Sequence, residues 1–187
     1  MKMTISKSIL ENILINAGPF LEKKDTSQIT SHVFMSAEGA ELTIKATDYE
    51  IGFLVKTKNV NITEEGTITA NGKKFLDIVR ILKDGEINLE VKGDILNISQ
   101  SHSKFKLPTF SHNEFPEFPN YDNKPRISID SHTLIESLKK ITPAIDTNNP
   151  KFELNGALIE IKENSINFAS TDTRRLAVVN IENNSAN

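Results

Sequence analysis

The chain contains a repeated unit, and two copies of one short segment reveal it. Residues 46–55 read ATDYEIGFLV, and residues 170–179, 124 positions later, read STDTRRLAVV. When the sequence is shifted by 124 positions without a gap, strand-like segments, a helix, its stop signal and a turn all coincide. Identical residues are few, but a duplicated structural unit shows such agreement of pattern after its sequence has diverged. We therefore expect two copies of one domain.

The first copy has the pattern of two helices and several strands. Apolar residues recur at helical spacing over residues 9–17 and 75–82. They alternate at strand spacing in the segments 2–5, 42–46, 51–55, 87–91, 96–98 and 105–107. This combination of helical and strand-like segments predicts antiparallel strands with helices packed on them.

Capping residues and turn residues place the ends of these elements. Ser8 with Glu11 predicts a capping box for the first helix, and Gly18 followed by proline predicts its end. Asn71 predicts the N-cap of the second helix, which ends before Asp84 and the glycine that follows it.

The segment 111–126 divides the chain. It reads SHNEFPEFPNYDNKPR, with three prolines and no periodicity, and predicts a linker between a first domain over 1–110 and a second over 127–187. After it the pattern restarts with a strand at 127–129 and a helix over 134–141 capped by Ser131 or Asp130. The second copy stops just past its hairpin and would leave an apolar face uncovered, so we expect a fragment of a longer protein.

Composition limits the class of protein. There are no cysteines among the 187 residues, which excludes disulfides and thiolate metal sites and fits a reducing cytoplasm. No stretch approaches the roughly 20 apolar residues of a membrane span, and the N-terminus lacks a signal-peptide pattern. A net charge of −3 argues against a surface that is basic all over, although one basic face remains possible.

Several segments together resemble a known family. They are the start MKMTISKSIL, then NGKKFLDIVRIL, EFPEFPNYDN, and FELNGALIE followed by ASTDTRRLAVV. In order and spacing they are similar to the β subunit of bacterial DNA polymerase III, the replicative sliding clamp. The resemblance implies an α+β fold, the DNA-clamp fold, in which each repeated domain has an antiparallel sheet with two helices on one face.

The resemblance also implies a role. Family members form a head-to-tail homodimer of three-domain subunits, a ring whose helices surround duplex DNA without reading its sequence. The ring is not a catalyst; it tethers the polymerase and so keeps it at a high effective concentration on DNA. This chain would supply the first domain and part of the second, and we do not expect it to close a ring. We expect a cytoplasmic, nucleoid-associated protein that needs no cofactor.

Positions that face DNA in the family lie on the second helix and in two loops. The matching residues here are Lys23, Lys24, Lys73, Arg80, Lys83, Asn148 and Lys151. From the pattern alone, an ordinary solvated helix face is the better explanation of the lysines, and only the resemblance favours a DNA-facing helix. Glu153 stands where the family usually has an aromatic residue, and its carboxylate would repel phosphate.

A second set of positions implies a pocket for short peptides. The polymerase III catalytic subunit, the clamp loader and repair polymerases insert a peptide there in the family. The matching residues are Leu154, Thr171, Thr173, Arg174, Arg175 and Leu176. The leucines would form an apolar floor and the arginines a charged rim, although both leucines could instead be strand core. Thr173 replaces a common glycine and Arg174 a common histidine, which predicts an altered peptide preference.

A third set implies the contact between subunits. It consists of Lys74, His102, Lys104, Phe105 and Leu107, which would meet the third domain of the other subunit.

Two other classes of protein were weighed against the clamp. An enzyme is disfavoured because the histidines at 32, 102, 112 and 132 have no ligand spacing. Asp48 and Asp172 are repeat-related turn residues in separate sheets and are not a catalytic pair. A peptide-binding adaptor without a DNA role would account for the Arg174-Arg175 pair but would leave the basic helix unused.

Overall fold

The computed structural model describes residues 1–23, 28–120 and 123–183. The chain divides into two compact units, Met1–Pro119 and Asn120–Asn187, and each unit is described by itself. No helix in the described part of the chain is long and apolar enough to cross a membrane.

The first unit is a nine-stranded antiparallel sheet with two helices. Its strands are β1 (Lys2–Ser6), β2 (His32–Glu38), β3 (Glu41–Thr47), β4 (Gly52–Thr57), β5 (Val60–Glu64), β6 (Gly66–Asn71), β7 (Glu86–Lys92), β8 (Ile95–Gln100) and β9 (Ser103–Phe110). Helix α1 spans Lys7–Ala17 and α2 spans Gly72–Ile81. The order across the sheet is β4-β3-β2-β6-β9-β8-β7-β1-β5. The two helices pack against each other and against the sheet, which confirms the predicted α+β class.

Helix α2 follows the sequence prediction closely. Asn71 is its N-cap, with the side-chain oxygen accepting a hydrogen bond from the Lys74 backbone N–H at 3.0 Å. Phe75 and Val79 are fully buried on the sheet side, as their helical spacing requires.

The capping box predicted for α1 is wrong. The helix begins at Lys7, so its N-cap is Ser6, which makes no side-chain capping bond. Ser8 therefore lies inside the first turn, where it cannot act as an N-cap. Glu11 instead lies 3.8 Å from the Lys7 Nζ, in an i,i+4 ion pair. The predicted end at Gly18 is confirmed.

The β3–β4 hairpin is confirmed with one correction. Leu42, Ile44 and Ala46 are fully buried, as their alternation predicts. Ile51 is 51% exposed because it lies in the turn and not in β4. Strands β2, β5 and β6 were not predicted, and β2 shows why, since its buried residues follow one another without polar alternation.

The second unit repeats part of the first. It contains α3 (Ser131–Ile141) and an antiparallel sheet of β10 (Leu158–Ile161), β11 (Ser165–Thr171) and β12 (Leu176–Glu182). Asp130 is the N-cap of α3, accepting a hydrogen bond from the Thr133 N–H at 2.8 Å.

The strand predicted at residues 127–129 does not form, so this prediction is wrong. Its counterpart β1 is held between β5 and β7. Positions 124 residues beyond those two strands begin at 184 and 210, outside the described residues. Among the described residues of the second unit, no strand pairs with residues 127–129, and a strand forms only as part of a ladder.

Strand register shows the repeat most clearly. Phe34 of β2 lies opposite Lys45 of β3. The residues 124 positions later, Leu158 of β10 and Ala169 of β11, also lie opposite each other. The β3–β4 ladder and the β11–β12 ladder keep the same 124-residue offset throughout Leu42–Thr47 and its counterpart. Because a shift of one residue would turn every side chain to the other face, this agreement confirms that the two units are copies.

Burial differs between the copies. Among the described residues of the second unit, the buried hydrophobic ones are Ile141, Ala144, Ile166 and Phe168. Leu138 is 36% exposed, whereas its counterpart Leu14, which helps to form the α1–α2 face of the first unit, is 2% exposed. No counterpart of α2 lies among the described residues of the second unit, so one side of α3 faces solvent.

Candidate functional site

The candidate docking site begins with a turn that both units build in the same way. In the first unit, the Thr47 hydroxyl donates to the Ile51 carbonyl at 2.7 Å and accepts from the Tyr49 N–H at 3.0 Å. Asp48 accepts from the N–H groups of Glu50 and Ile51, both at 3.0 Å.

The second unit reproduces each of these bonds. The Thr171 hydroxyl donates to the Arg175 carbonyl at 2.7 Å and accepts from the Thr173 N–H at 3.1 Å. Asp172 accepts from the N–H groups of Arg174 and Arg175 at 3.0 and 2.9 Å. The predicted role of Asp48 and Asp172 as turn residues is thus confirmed, and the preceding threonine takes part in both turns.

Charge and backbone strain in the turn have the same origin in both units. Backbone N–H donors, those of Ile51 and Arg174 foremost, hold the pKa of Asp48 and of Asp172 below the usual range, so both stay ionised. Tyr49 has φ 76° and Thr173 has φ 75°, in the left-handed region. Glycine adopts that region without steric cost whereas a β-branched residue is strained there, which explains the family preference that Thr173 departs from.

This turn presents the predicted pocket residues to solvent. Leu176 is 69% exposed at the start of β12 and lies opposite Thr171. The strand-core alternative is therefore wrong for Leu176. Arg174 and Arg175 are also exposed, and the Arg175 Nε donates to Asp172 at 2.9 Å, which orients its guanidinium.

A loop of the second unit carries the other predicted residues. Leu154 lies half-buried in a 3₁₀ turn, Phe152–Leu154, and not in a strand. Its carbonyl accepts from the Asp146 N–H at 3.0 Å. Asn148 and Lys151 are exposed on the same loop, so one loop holds both a predicted pocket residue and predicted DNA-facing residues.

Two predicted DNA-facing lysines of the first unit come together. Lys23 and Lys73 line one cavity of about 390 Å³ between the end of α1 and the start of α2. These residues are 50 positions apart in sequence, so the helix packing is what brings them together. Lys24 lies outside the described residues.

The other two cations that the described part of the first unit contributes to the predicted DNA face have different surroundings. Arg80 is exposed, and its Nε lies 3.9 Å from a carboxylate oxygen of Glu11 on α1, so part of its charge is compensated. Lys83 follows α2 and lines a separate cavity of about 440 Å³ with His102. The structure therefore does not gather all the predicted cations into one cluster.

The predicted subunit-contact residues lie mainly on the first part of β9. Residues 103–108 pair with β8, whereas β6 pairs with β9 at 109 and 110. One side of the segment carrying Lys104 and Phe105 thus has no strand neighbour among the described residues. Lys74 is exposed on α2, and Leu107 is buried in the core at 3% exposure.

Helix α3 carries cations that sequence reasoning missed. Lys139 and Lys140 are exposed in its last turn, and Lys139 pairs with Glu136 at 2.9 Å. The repeat gave no signal for them, because their counterparts on α1, Ile15 and Asn16, are uncharged.

His32 lies in the core of the first unit. His32 is 3% exposed, stacks on Phe110 with ring centroids 4.2 Å apart, and lies 3.3 Å from the Thr69 hydroxyl. Burial, and next the charge of Lys74, lowers the pKa of His32 to about 4. Among the described residues, no cluster of three or more His, Asp or Glu side chains could hold a metal ion.

Comparison with known proteins places both units in one family. Residues 1–119 match the family model of the DNA polymerase III beta subunit N-terminal domain, and residues 128–187 match that of its central domain. The beta sliding clamp of Helicobacter pylori strain J99 is 42% identical over 97% of this chain, and that of Caulobacter vibrioides is 32% identical over 95%.

Solved structures agree with this result. The H. pylori beta clamp bound to a DNA ligase peptide has a TM-score of 0.90 at 42% identity, covering 97% of this chain and 51% of that chain. The DNA polymerase III beta subunit of Pseudomonas aeruginosa has a TM-score of 0.91 at 26% identity, covering 98% and 50%. The chain thus has the clamp fold and spans about half the length of the curated relatives it matches.

Proposed function

Because this chain belongs to the family of the bacterial DNA polymerase III β subunit, we propose that it is part of a sliding clamp. The complete clamp encircles duplex DNA without sequence preference and tethers its partners through a peptide-binding pocket. It is a non-catalytic subunit of the polymerase III holoenzyme, works in the cytoplasm at the nucleoid and needs no cofactor. Its partners are the polymerase III catalytic subunit, the clamp loader and repair polymerases.

The observation that carries this proposal is the difference between the two hairpins. Both have the same hydrogen-bonded turn, but Tyr49-Glu50-Ile51 in the first becomes Thr173-Arg174-Arg175 in the second. The second hairpin adds the exposed Leu176 at a position held by Gly52 in the first. An apolar anchor beside two cations suits a peptide with an apolar side chain and a polar or acidic flank.

The DNA face is proposed to comprise Lys23, Lys24, Lys73, Arg80, Lys83, Asn148 and Lys151. Lys23 and Lys73 give the proposed DNA face its main structural support, because both line one cavity between the helices. Loose phosphate contacts of this kind bind DNA without reading bases and allow sliding. Lys140 on α3 is added to this face.

The subunit contact is proposed to run along the first part of β9. Lys104, Phe105, His102 and Lys74 are proposed to contribute to its surface, while Leu107 supports it from the core. The unpaired side of this strand segment can accept a strand from another subunit. The partner surface is proposed to lie on a third domain of another subunit in the complete clamp.

Peptide binding is tested first. The labelled DNA ligase peptide used with the H. pylori clamp is titrated with the chain, and binding is followed by fluorescence anisotropy. Leu176→Asp and Arg175→Ala should each weaken binding by about tenfold or more, the effect of removing an interface anchor. Ile51→Ala, at the repeat position of Arg175, should leave it unchanged. Equal effects of the Arg175 and Ile51 substitutions would contradict the docking site.

DNA binding is tested separately. Lys73→Glu should weaken binding to duplex DNA uniformly across sequences and lower the salt dependence. Lys58→Glu, between β4 and β5, makes the same charge change outside the proposed face and serves as the control. A full-length clamp containing this chain should stay on closed circular DNA and leave when the circle is cut. Equal retention on both forms would favour an adaptor without a sliding role.

A further inference from the structure

The outer face of strands β2–β4 bears on docking, because the two units differ in how much of this face is exposed to solvent. In the first unit Leu42, Ile44 and Ala46 point into the core, so the alternate residues of β3 point outward. Phe34, Lys45 and Leu54 lie side by side on this outer face, because they are direct cross-strand neighbours. Gly52, opposite Thr47, continues the same face next to the turn.

The chain's own segment 115–118 covers part of this face, over Phe34 and Gly52, while Leu54 stays 37% exposed. Phe115 is 7% exposed and packs on Phe34, with ring centroids 5.3 Å apart. The Phe118 ring lies directly over Gly52, where a Cβ would meet its Cε2 atom at 3.0 Å. The Lys45 Nζ lies 5.1 Å from the Phe34 centroid and 5.5 Å from that of Phe118, which adds cation–π attraction.

In the second unit the equivalent face is open. The counterparts of Phe34, Leu54 and Gly52 are Leu158, Val178 and Leu176, which are 62%, 58% and 69% exposed. Within the described part of this unit, no aromatic segment covers them. Gly52 leaves room for the Phe118 ring, and Leu176 projects an apolar side chain from the same place.

We propose that residues 115–118 act as a ligand in cis, which closes the first unit's counterpart of the docking face. The segment has the features of a docking peptide, with two large apolar side chains three positions apart and an acidic residue, Glu117, between them. Partner peptides are thereby directed to the second unit. This consequence rests on the proposed peptide docking, whereas the closure of the first unit can be tested without it.

Covalent attachment strengthens the binding of residues 115–118 to the outer face of β2–β4. A segment that follows its binding face within the same chain has an effective concentration in the millimolar range or above. A free peptide of similar affinity cannot compete at micromolar concentration. Once the attached segment is weakened, a free copy should bind to the vacated face.

The experiment uses the 187-residue chain and a labelled synthetic peptide with the sequence NEFPEFPN, residues 113–120. Phe118→Ala removes one anchor of the attached segment. Phe115→Ala removes the other anchor and leaves the residues of the β2–β4 face unchanged. Both variants should bind the peptide at least about tenfold more tightly than the wild type, with amide shifts in β2–β4 in ¹H–¹⁵N NMR spectra. Phe152→Ala, which removes an aromatic ring that is 87% exposed in the second unit, should leave β2–β4 without shifts.

The outcomes separate the two proposals. The closure is overturned if the wild type binds the peptide on β2–β4 as tightly as the variants, or if neither folded variant binds it there. Phe115→Ala keeps Phe118 and the β2–β4 face, so it maintains the test if Phe118→Ala fails to fold. The DNA ligase peptide is examined in parallel, because its failure to shift β10–β12 would count against the proposed docking function and would leave the result on β2–β4 intact.

Discussion

Truncating Phe168 should unfold the second unit and leave the first one folded. Phe168 is fully buried and, with Ile141 and Ile166, forms the centre of the second unit's core. Replacing a buried phenylalanine by alanine costs about 3–5 kcal/mol. At roughly 0.05–0.15 kcal/mol per residue, the unit Asn120–Asn187 has a stability of roughly 3–10 kcal/mol. The loss in Phe168→Ala is thus comparable with the whole stability of this unit.

The matched control is Phe75→Ala in the first unit. Phe75 is also fully buried, so its truncation costs a similar free energy. By the same estimate the unit Met1–Pro119 has roughly 6–18 kcal/mol available, so it should remain folded in the absence of denaturant.

Hydrogen exchange measured by mass spectrometry reads the two units separately. In Phe168→Ala, peptides from β11 and β12 should exchange at the rate of unfolded chain, while peptides from β2 and β3 keep their protection. In Phe75→Ala, the β2 and β3 peptides should exchange faster but not completely. Loss of protection in both units of Phe168→Ala would refute the reasoning, because it would show that the units do not fold independently.

Three further predictions follow from local geometry and charge. A Cβ on Gly72 would lie 2.4 Å from Leu21, so Gly72→Ala should cost about 1–3 kcal/mol in urea unfolding. Gly18→Ala should be neutral or stabilise by about 0.4–1 kcal/mol, because that site is open and its φ is −51°. A cost at Gly18 equal to that at Gly72 would count against this reasoning. His32 has a pKa of about 4 in the folded protein and 6.5 when free, so the contribution of its neutral form to the free energy of unfolding should be fully present above pH 6.5. It should fall by up to roughly 3 kcal/mol as the pH drops towards 4, and urea midpoints for His32→Gln should show a weaker pH dependence.

Sequence pattern was most informative where one side of an element is buried. The stripe Phe75 to Leu82 with Asn71 before it was sufficient for α2, because an amphipathic helix with a capping residue has a local signature. The hairpin turn was equally local, since Thr47 and Asp48 satisfy the backbone groups of the next few residues. Strand β2 was missed because it is buried without alternation, and the strand at 127–129 was wrongly predicted because strand formation depends on neighbours.

For the candidate site, sequence supplied residue types, and structure supplied their neighbours. The repeat and the Arg174-Arg175 pair were visible in the sequence, and so was the basic character of α2. The sequence did not show that Arg80 faces Glu11, that Lys83 lies near His102, or that Leu107 is in the core. These relations join residues far apart in the chain, and no local pattern encodes them.

By itself, the sequence determined that one unit occurs twice with a Thr-Asp turn at the same place in each copy, because both properties depend on near neighbours and on a constant offset of 124. Tertiary structure alone decided that the outer face beside one turn is covered by Phe115 and Phe118 while its counterpart at Leu176 is exposed. The physical reason is that coverage depends on a segment more than 60 residues beyond the first turn folding back onto the sheet.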